Sequence, residues 1–248
     1  VLNYAFTAGY TNGIALSYES DNYRMTGLIS NGARAGATAT GLDTEFAFTG
    51  RVEYLAMGNW GQFEDFTSPQ GSEQGLMIGA ALHYEVAESG VPFAVNTELT
   101  IFTLDVSWED DGYNVYFAWV MSDWNGGPGF GASPDANGFL LQGGYYLDES
   151  WEIFARYEAA DWDAGGGDDL SIFTIGVNKY IAGHNAKWTT DIGISDGGID
   201  AIANVGTFPT FAAGGGGFGA TNFGVDDPIT GGVEDGQIVL RTQLQILF

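Results

Sequence analysis

Apolar and polar residues alternate with a period of two through most of the chain. The final segment shows it best: Ile238, Leu240, Thr242, Leu244, Ile246 and Phe248 share one parity, and Gln237, Arg241, Gln243 and Gln245 the other. Successive side chains of a β-strand point to opposite faces, so such a segment predicts a strand with one oily and one wet face. In the same way Trp151, Ile153, Ala155, Tyr157 and Ala159 oppose Glu152, Arg156 and Glu158. Trp188, Ile192 and Ile194 oppose Lys187 and Asp191, and Phe46, Phe48, Val52 and Tyr54 oppose Glu45, Arg51 and Glu53. Followed along the chain, the pattern predicts eleven strands, at 12–19, 22–31, 43–58, 74–86, 95–109, 112–123, 137–147, 150–162, 170–181, 184–195 and 236–248. Most are longer than the ~5 to 6 residues of an ordinary soluble strand and match the ~9 to 11 that a tilted strand needs to cross a hydrocarbon core.

Periodicity alone leaves open whether the oily face looks into a sandwich core or out at lipid, since both remove it from water. The connections favour lipid. Ser20 to Asn22, Glu109 to Gly112 and Leu147 to Ser150 are tight, whereas 124–136, 163–169 and 196–235 are long, and the long ones fall on one side. Outer-membrane barrels have this asymmetry, with short periplasmic turns and longer external loops, which puts the C-terminus on the periplasmic side. Trp60 to Glu73 breaks the rhythm: a connection on the tight side as long as several external loops. Either the strand count is off by one there or the turn carries extra structure. Bacterial barrels have an even strand number, so eleven strands imply at least one more. The expected fold is an all-β transmembrane antiparallel up-and-down barrel, with about 12 strands in this chain if Val1 to Thr11 contributes. A start truncated within a longer barrel is the favoured account.

Composition narrows the function classes. Asp and Glu number 32 against 7 Lys and Arg, a net charge of −25, so the phosphate-neutralising contacts of nucleic-acid binding are excluded. Hydrophobic residues at 45% and aromatics at 15% exclude a disordered acidic tail. Cysteine is absent, which removes disulfides and thiol chemistry. A mean hydropathy of −0.01 suits a barrel that alternates its faces. Only two histidines occur, His83 and His184, with no nucleophile motif or metal spacing near either, so no catalytic residue is expected.

The segments Trp151-Glu-Ile-Phe-Ala-Arg-Tyr-Glu158, Thr174-Ile-Gly-Val-Asn-Lys-Tyr180, His184-Asn-Ala-Lys-Trp188 and the closing Leu240-Arg-Thr-Gln-Leu-Gln-Ile-Leu-Phe248, taken in order, resemble outer-membrane porins of the phosphate-selective type, especially their planctomycete-like relatives. Gly13 to Tyr18 and Ser30 to Arg34 are also similar to these porins. The resemblance implies a single porin domain over 1–248, the C-terminal portion of a longer barrel of about sixteen strands. It further implies a homotrimer in the bacterial outer membrane, with the lipid bilayer, lipopolysaccharide and small hydrophilic solutes or ions as partners and no cofactor. Phosphate selectivity is not carried over, because no ladder of arginines is evident and the chain is strongly acidic.

With the oily parity toward lipid, the expected pore-lining residues are Arg24, Arg51, Arg156, Lys187 and Arg241 with Glu45, Glu53, Asp105, Glu152, Glu158 and Asp191. Five of the seven basic residues thus face inward. Avoidance of lipid is the preferred account of that, and a selectivity stripe is the alternative. Trp60, Trp108, Trp124, Trp151, Trp162 and Trp188 lie near strand ends; Trp60, Trp108, Trp151, Trp188 and Phe248 are expected at the membrane interface. The acid pairs Asp110-Asp111, Asp168-Asp169 and Asp226-Asp227 could hold Ca²⁺, but such pairs are more often simply solvated turns. The preferred function is a passive diffusion pore. The alternative is a secreted acidic β-sandwich that binds carbohydrate, and a third reading is a surface barrel without an open lumen.

Overall fold

All eleven segments form strands in the computed structural model, which describes residues 11–32, 42–89, 95–125, 135–162, 169–183, 185–196 and 238–246. They are β1 (Gly13–Glu19), β2 (Tyr23–Ser30), β3 (Leu42–Met57), β4 (Gly75–Ser89), β5 (Val95–Asp110), β6 (Tyr113–Asn125), β7 (Ala136–Tyr146), β8 (Trp151–Trp162), β9 (Leu170–Tyr180), β10 (Ala186–Asp196) and β11 (Ile238–Ile246). Each strand pairs with its sequence neighbour, and every pairing is antiparallel. The result is one up-and-down sheet in the order β1 to β11. Among the described residues β1 pairs with β2 alone and β11 with β10 alone, so both are edges and the expected closure is not made by these residues. The twelfth strand expected in Val1 to Thr11 lies outside the described residues except for Thr11, which is in no strand.

The tight turns explain why consecutive strands pair. Between β5 and β6 the loop is Asp111-Gly112, and Gly112 takes φ +83°, a left-handed conformation that glycine adopts without steric penalty. Between β7 and β8, Asp148 Oδ1 accepts from Ser150 N at 2.7 Å, Ser150 Oγ at 3.0 Å and Trp151 N at 2.9 Å, closing the turn on its own carboxylate. These hydrogen bonds, chiefly the one from the Ser150 amide, hold the Asp148 carboxyl below the ordinary aspartate range. The connection that broke the rhythm resolves in favour of extra structure, not a miscounted strand. Trp60–Glu64 forms a 3-10 helix capped by Asn59 and Gln62, and the chain then runs on to β4 along one face of the sheet.

Burial separates the two faces of a single layer. On β7, Phe139, Leu141 and Tyr145 are exposed while Gly144 and Tyr146 are buried; on β8, Ile153 and Tyr157 are exposed while Glu152 and Glu158 are buried. A lone sheet buries one face only by curling toward it, which its natural twist promotes. We call that face inner. Its register rows cross the sheet in line, for example Glu19, Arg24, Glu53, Gly79, Asp105, Ala118, Leu140, Glu158, Ile172 and Ser195.

Candidate functional site on the inner wall

The inner face carries the charge. Glu152 is 2% exposed, Glu158 3% and Asp105 5%, and His83, Glu85, Glu109, Asn114, Thr174 and Asn178 are buried beside them. The outer face carries Phe48, Val52, Ile78, Leu82, Leu141, Ile153, Phe173, Ile175, Ile192 and Leu240, all exposed. Hydrophobic burial ordinarily gives the reverse.

Ion pairs organise the wall in two clusters. On β3 to β5, Arg51 Nη1 and Nη2 donate to the two carboxylate oxygens of Asp105 at 2.7 and 3.0 Å, and Arg51 Nε donates to Glu53 at 3.0 Å. The Arg51 side chain crosses β4 to do this, over Gly79, where a Cβ would collide with both the guanidinium and the Asp105 carboxylate. On β8 to β11, Arg156 pairs with Glu158 at 3.2 Å, and Arg241 Nε donates to Asp191 Oδ1 at 2.7 Å. Arg24 pairs with Glu19 at 3.1 Å nearer the β1 edge. Lys187 makes no ion pair among the described residues and lies 5.8 Å from the Tyr180 ring centroid.

Glu152 is held without a cation. Its Oε1 accepts from Asn114 Nδ2 at 3.2 Å, and its Oε2 from Asn178 Nδ2 at 2.8 Å and the Tyr180 hydroxyl at 2.6 Å. Gly144 leaves the space through which the Asn114 amide reaches the carboxylate. Tyr180 also stacks on Tyr146, with ring centroids 5.4 Å apart. Three donors satisfy a buried carboxylate that would otherwise be costly to place there.

The segment between β3 and β4 lies against this wall. Phe66 packs on Tyr116, with centroids 4.7 Å apart; Ser68 is fully buried and its Oγ donates to the Asp110 carbonyl at 2.5 Å. Gly71 N donates to Asp111 Oδ1 at 2.6 Å and Gln74 Nε2 to Asp110 Oδ2 at 3.2 Å. The Asp110-Asp111 pair therefore clasps this segment, and no group of three metal-ligating side chains occurs among the described residues. Asp168 and Asp226-Asp227 lie outside them. Between the segment and the strands beyond β5 remains a cavity of about 620 Å³, lined by Glu64, Asp65 and Phe66 on one side and by both signs of charge, Arg156, Lys187 and Arg241 with Glu152 and Asp191, on the other.

Of the residues expected on the wall, Arg24, Arg51, Glu53, Asp105, Arg156, Glu158, Glu152, Lys187, Asp191 and Arg241 all stand on inner rows. The side chain of Glu45 lies outside the described residues, at a register shift between Thr44 and Phe46. Trp108, Trp151 and Trp188 stand on the outer face at the tight-turn end. Trp151, Lys179 and Trp188 are register partners on three successive strands, with Lys179 Nζ 4.3 Å from the Trp151 ring centroid. Trp60 differs: its indole N–H donates to the Ser20 and Asp21 carbonyls at 3.3 and 3.1 Å, and its ring lies under the Arg24 guanidinium, so it fastens the connection instead of joining the outer row. Phe248, His184 and the side chains of Trp124 and Trp162 lie outside the described residues. His83 sits inward, bonded to Thr49 at 2.8 Å and beside Glu85 at 3.3 Å.

Asn114, Gln142 and Asn178 were readable from parity alone, since they share it with neighbouring charges. Glu64, Asp65 and Phe66 had no sequence signal beyond the length of their connection.

No protein-family model matches the chain, and no curated protein matches it. Among solved structures the chain is similar to outer-membrane expressed OmpT of Vibrio cholerae, at 12% identity and TM-score 0.47 over 75% of this chain and 54% of that one. It is likewise similar to in-vitro folded OmpT, an outer membrane protein of Vibrio cholerae, at 12% identity and TM-score 0.48 over 75% and 53%. The chain spans about half the length of the structures it matches.

Proposed function

We propose that the chain is part of an outer-membrane porin, a β-barrel whose water-filled lumen passes ions and small hydrophilic solutes down their gradients. The observation that carries this reading is the inversion of the two faces: carboxylates and guanidinia are sheltered on one side of a single sheet, and large apolar side chains cover the other. In lipid the outer residues are at home, and the inner wall keeps its charges wet. A carbohydrate-binding sandwich predicts the opposite arrangement, with the apolar face covered by a second sheet. The residues around Trp151 to Phe248 support kinship with porins of the phosphate-selective type, and with it a homotrimer contacting lipopolysaccharide. Wall cations that are mostly paired, in a chain of charge −25, support weak cation preference over phosphate selectivity.

Planar-bilayer recording tests the proposal. Stepwise conductance is expected, with a reversal potential in a KCl gradient that leans toward K⁺. A protein that inserts without conducting would instead be a closed surface barrel.

A further inference from the structure

The strand side of the 620 Å³ cavity holds a flat apolar ring where the wall is otherwise polar. Phe154 stands on an inner row of β8, and its register partners on both sides are glycines, Gly144 and Gly176. A Cβ on Gly176 would run into the Phe154 ring, so the ring occupies the space that this glycine leaves. It is half-buried and has no aromatic partner among the described residues. The same row continues from Gly176 to Asp191 and Arg241, which pair with each other. One row toward the loop end stands Gln142, and one row toward the turn end Gln243. Neither side-chain amide is hydrogen-bonded among the described residues, so each offers a donor and an acceptor to the cavity.

The charges around this ring do not select an ion. Arg156 is paired with Glu158 and Arg241 with Asp191, and the unpaired Lys187 is offset by Glu152, whose hydrogen bonds come from neutral donors. What the cavity offers an entering molecule is an apolar ring face bordered by groups that both donate and accept. Its volume lies within the roughly 300 to 1,000 Å³ of sites that hold small organic ligands.

We infer that the cavity is a binding station for neutral saccharides, one pyranose ring lying with its C–H face on Phe154 and its hydroxyls turned to Gln142, Gln243 and the Asp191–Arg241 pair. A pyranose has the matching surfaces, apolar C–H faces and a rim of hydroxyls that donate and accept at once. An open-chain polyol has the hydroxyls without the flat face, and an ion has neither. The inference rests on the channel reading above and names a solute class for it.

Influx of labelled solutes into phosphatidylcholine vesicles containing the protein tests it, with D-glucose as the pyranose and sorbitol as a six-carbon polyol without a ring. Glucose influx is expected to saturate, with half-saturation on the order of 10 mM, while sorbitol influx stays linear over the same range. Phe154→Leu keeps an apolar side chain without a flat face and should raise the half-saturation concentration at least about fivefold; Phe154→Tyr keeps the ring and should change it less than about twofold. Gln142→Ala should raise it about threefold, an independent arm if the leucine variant fails to insert. Linear glucose influx in the unaltered protein, or a half-saturation that neither Phe154→Leu nor Gln142→Ala moves, overturns the inference and leaves the channel standing. No influx of either solute overturns both.

Discussion

The outer and inner faces of the sheet are written by the same strands, one residue out of step, and they obey opposite rules. On β7 and β8 the outer row of Leu141 and Tyr157 is exposed, with Leu141 at 47%, while the inner row of Leu140 and Glu158 shelters a carboxylate at 3%. A large apolar side chain left in water forgoes about 1.5 to 3 kcal/mol, and the outer face presents them on nearly every strand. The difference teaches that the solvent outside this sheet is not water. It also teaches that the inner face owes its order to pairing: Arg51 with Asp105, Arg241 with Asp191, and Glu152 with three neutral donors.

Substitutions on the two faces should therefore behave differently, and the widest gap is expected in mid-strand. Leu141→Arg should cost about 2 to 4 kcal/mol in denaturant unfolding from vesicles, whereas Gln142→Arg, on the inner face, should cost under about 1 kcal/mol. Equal costs would break the contrast between faces.

Arg51→Ala comes next. It leaves Asp105 sheltered without its guanidinium, at a cost of about 2 kcal/mol, below the usual penalty for breaking a fully buried pair because Arg51 is a third exposed to water. Removing Asp105 as well should recover part of the loss in a double-mutant cycle. Glu152→Ala should cost about 1 to 2 kcal/mol by stranding Asn114, Asn178 and Tyr180, read in the same unfolding assay.

Lys179→Ala sharpens the outer edge of the comparison: loss of the stack on Trp151 should cost about 0.5 to 1 kcal/mol and blue-shift or broaden tryptophan fluorescence little, since both rings keep their positions. The smallest effect belongs to the β7–β8 turn. The Asp148 carboxyl titrates lower when folded than when unfolded, so its contribution is present above the unfolded carboxyl range and is lost as pH falls through the folded value. Asp148→Asn should remove that slice of acid sensitivity and leave stability near neutral pH lower by a small, pH-independent amount.

The strands were legible because outer-face and inner-face residues alternate, as in Ile238 to Ile246, where β11 begins and ends within two residues of its expected bounds. Parity likewise placed Arg156, Glu152 and Asp191 inward before any contact was known. The pairing across strands was not legible. That Arg51 reaches Asp105 over β4 depends on Gly79 having no side chain and on a register that no local pattern specifies. The inner segment was hidden for a different reason: Glu64 and Asp65 look like any solvated acids, and only the burial of Ser68 and the seat of Phe66 on Tyr116 show that the connection turns inward.

The chain contains no cysteine, so single cysteines introduced one at a time along residues 138–145 of β7 can each carry a nitroxide without interference. With the protein reconstituted in vesicles, collision rates with O₂ and with a polar nickel chelate distinguish acyl chains from water. The account predicts strict alternation, with O₂ dominant at 139, 141, 143 and 145 and the chelate dominant at 138, 140, 142 and 144. Chelate dominance at the first set, or the same accessibility at every position, would contradict it.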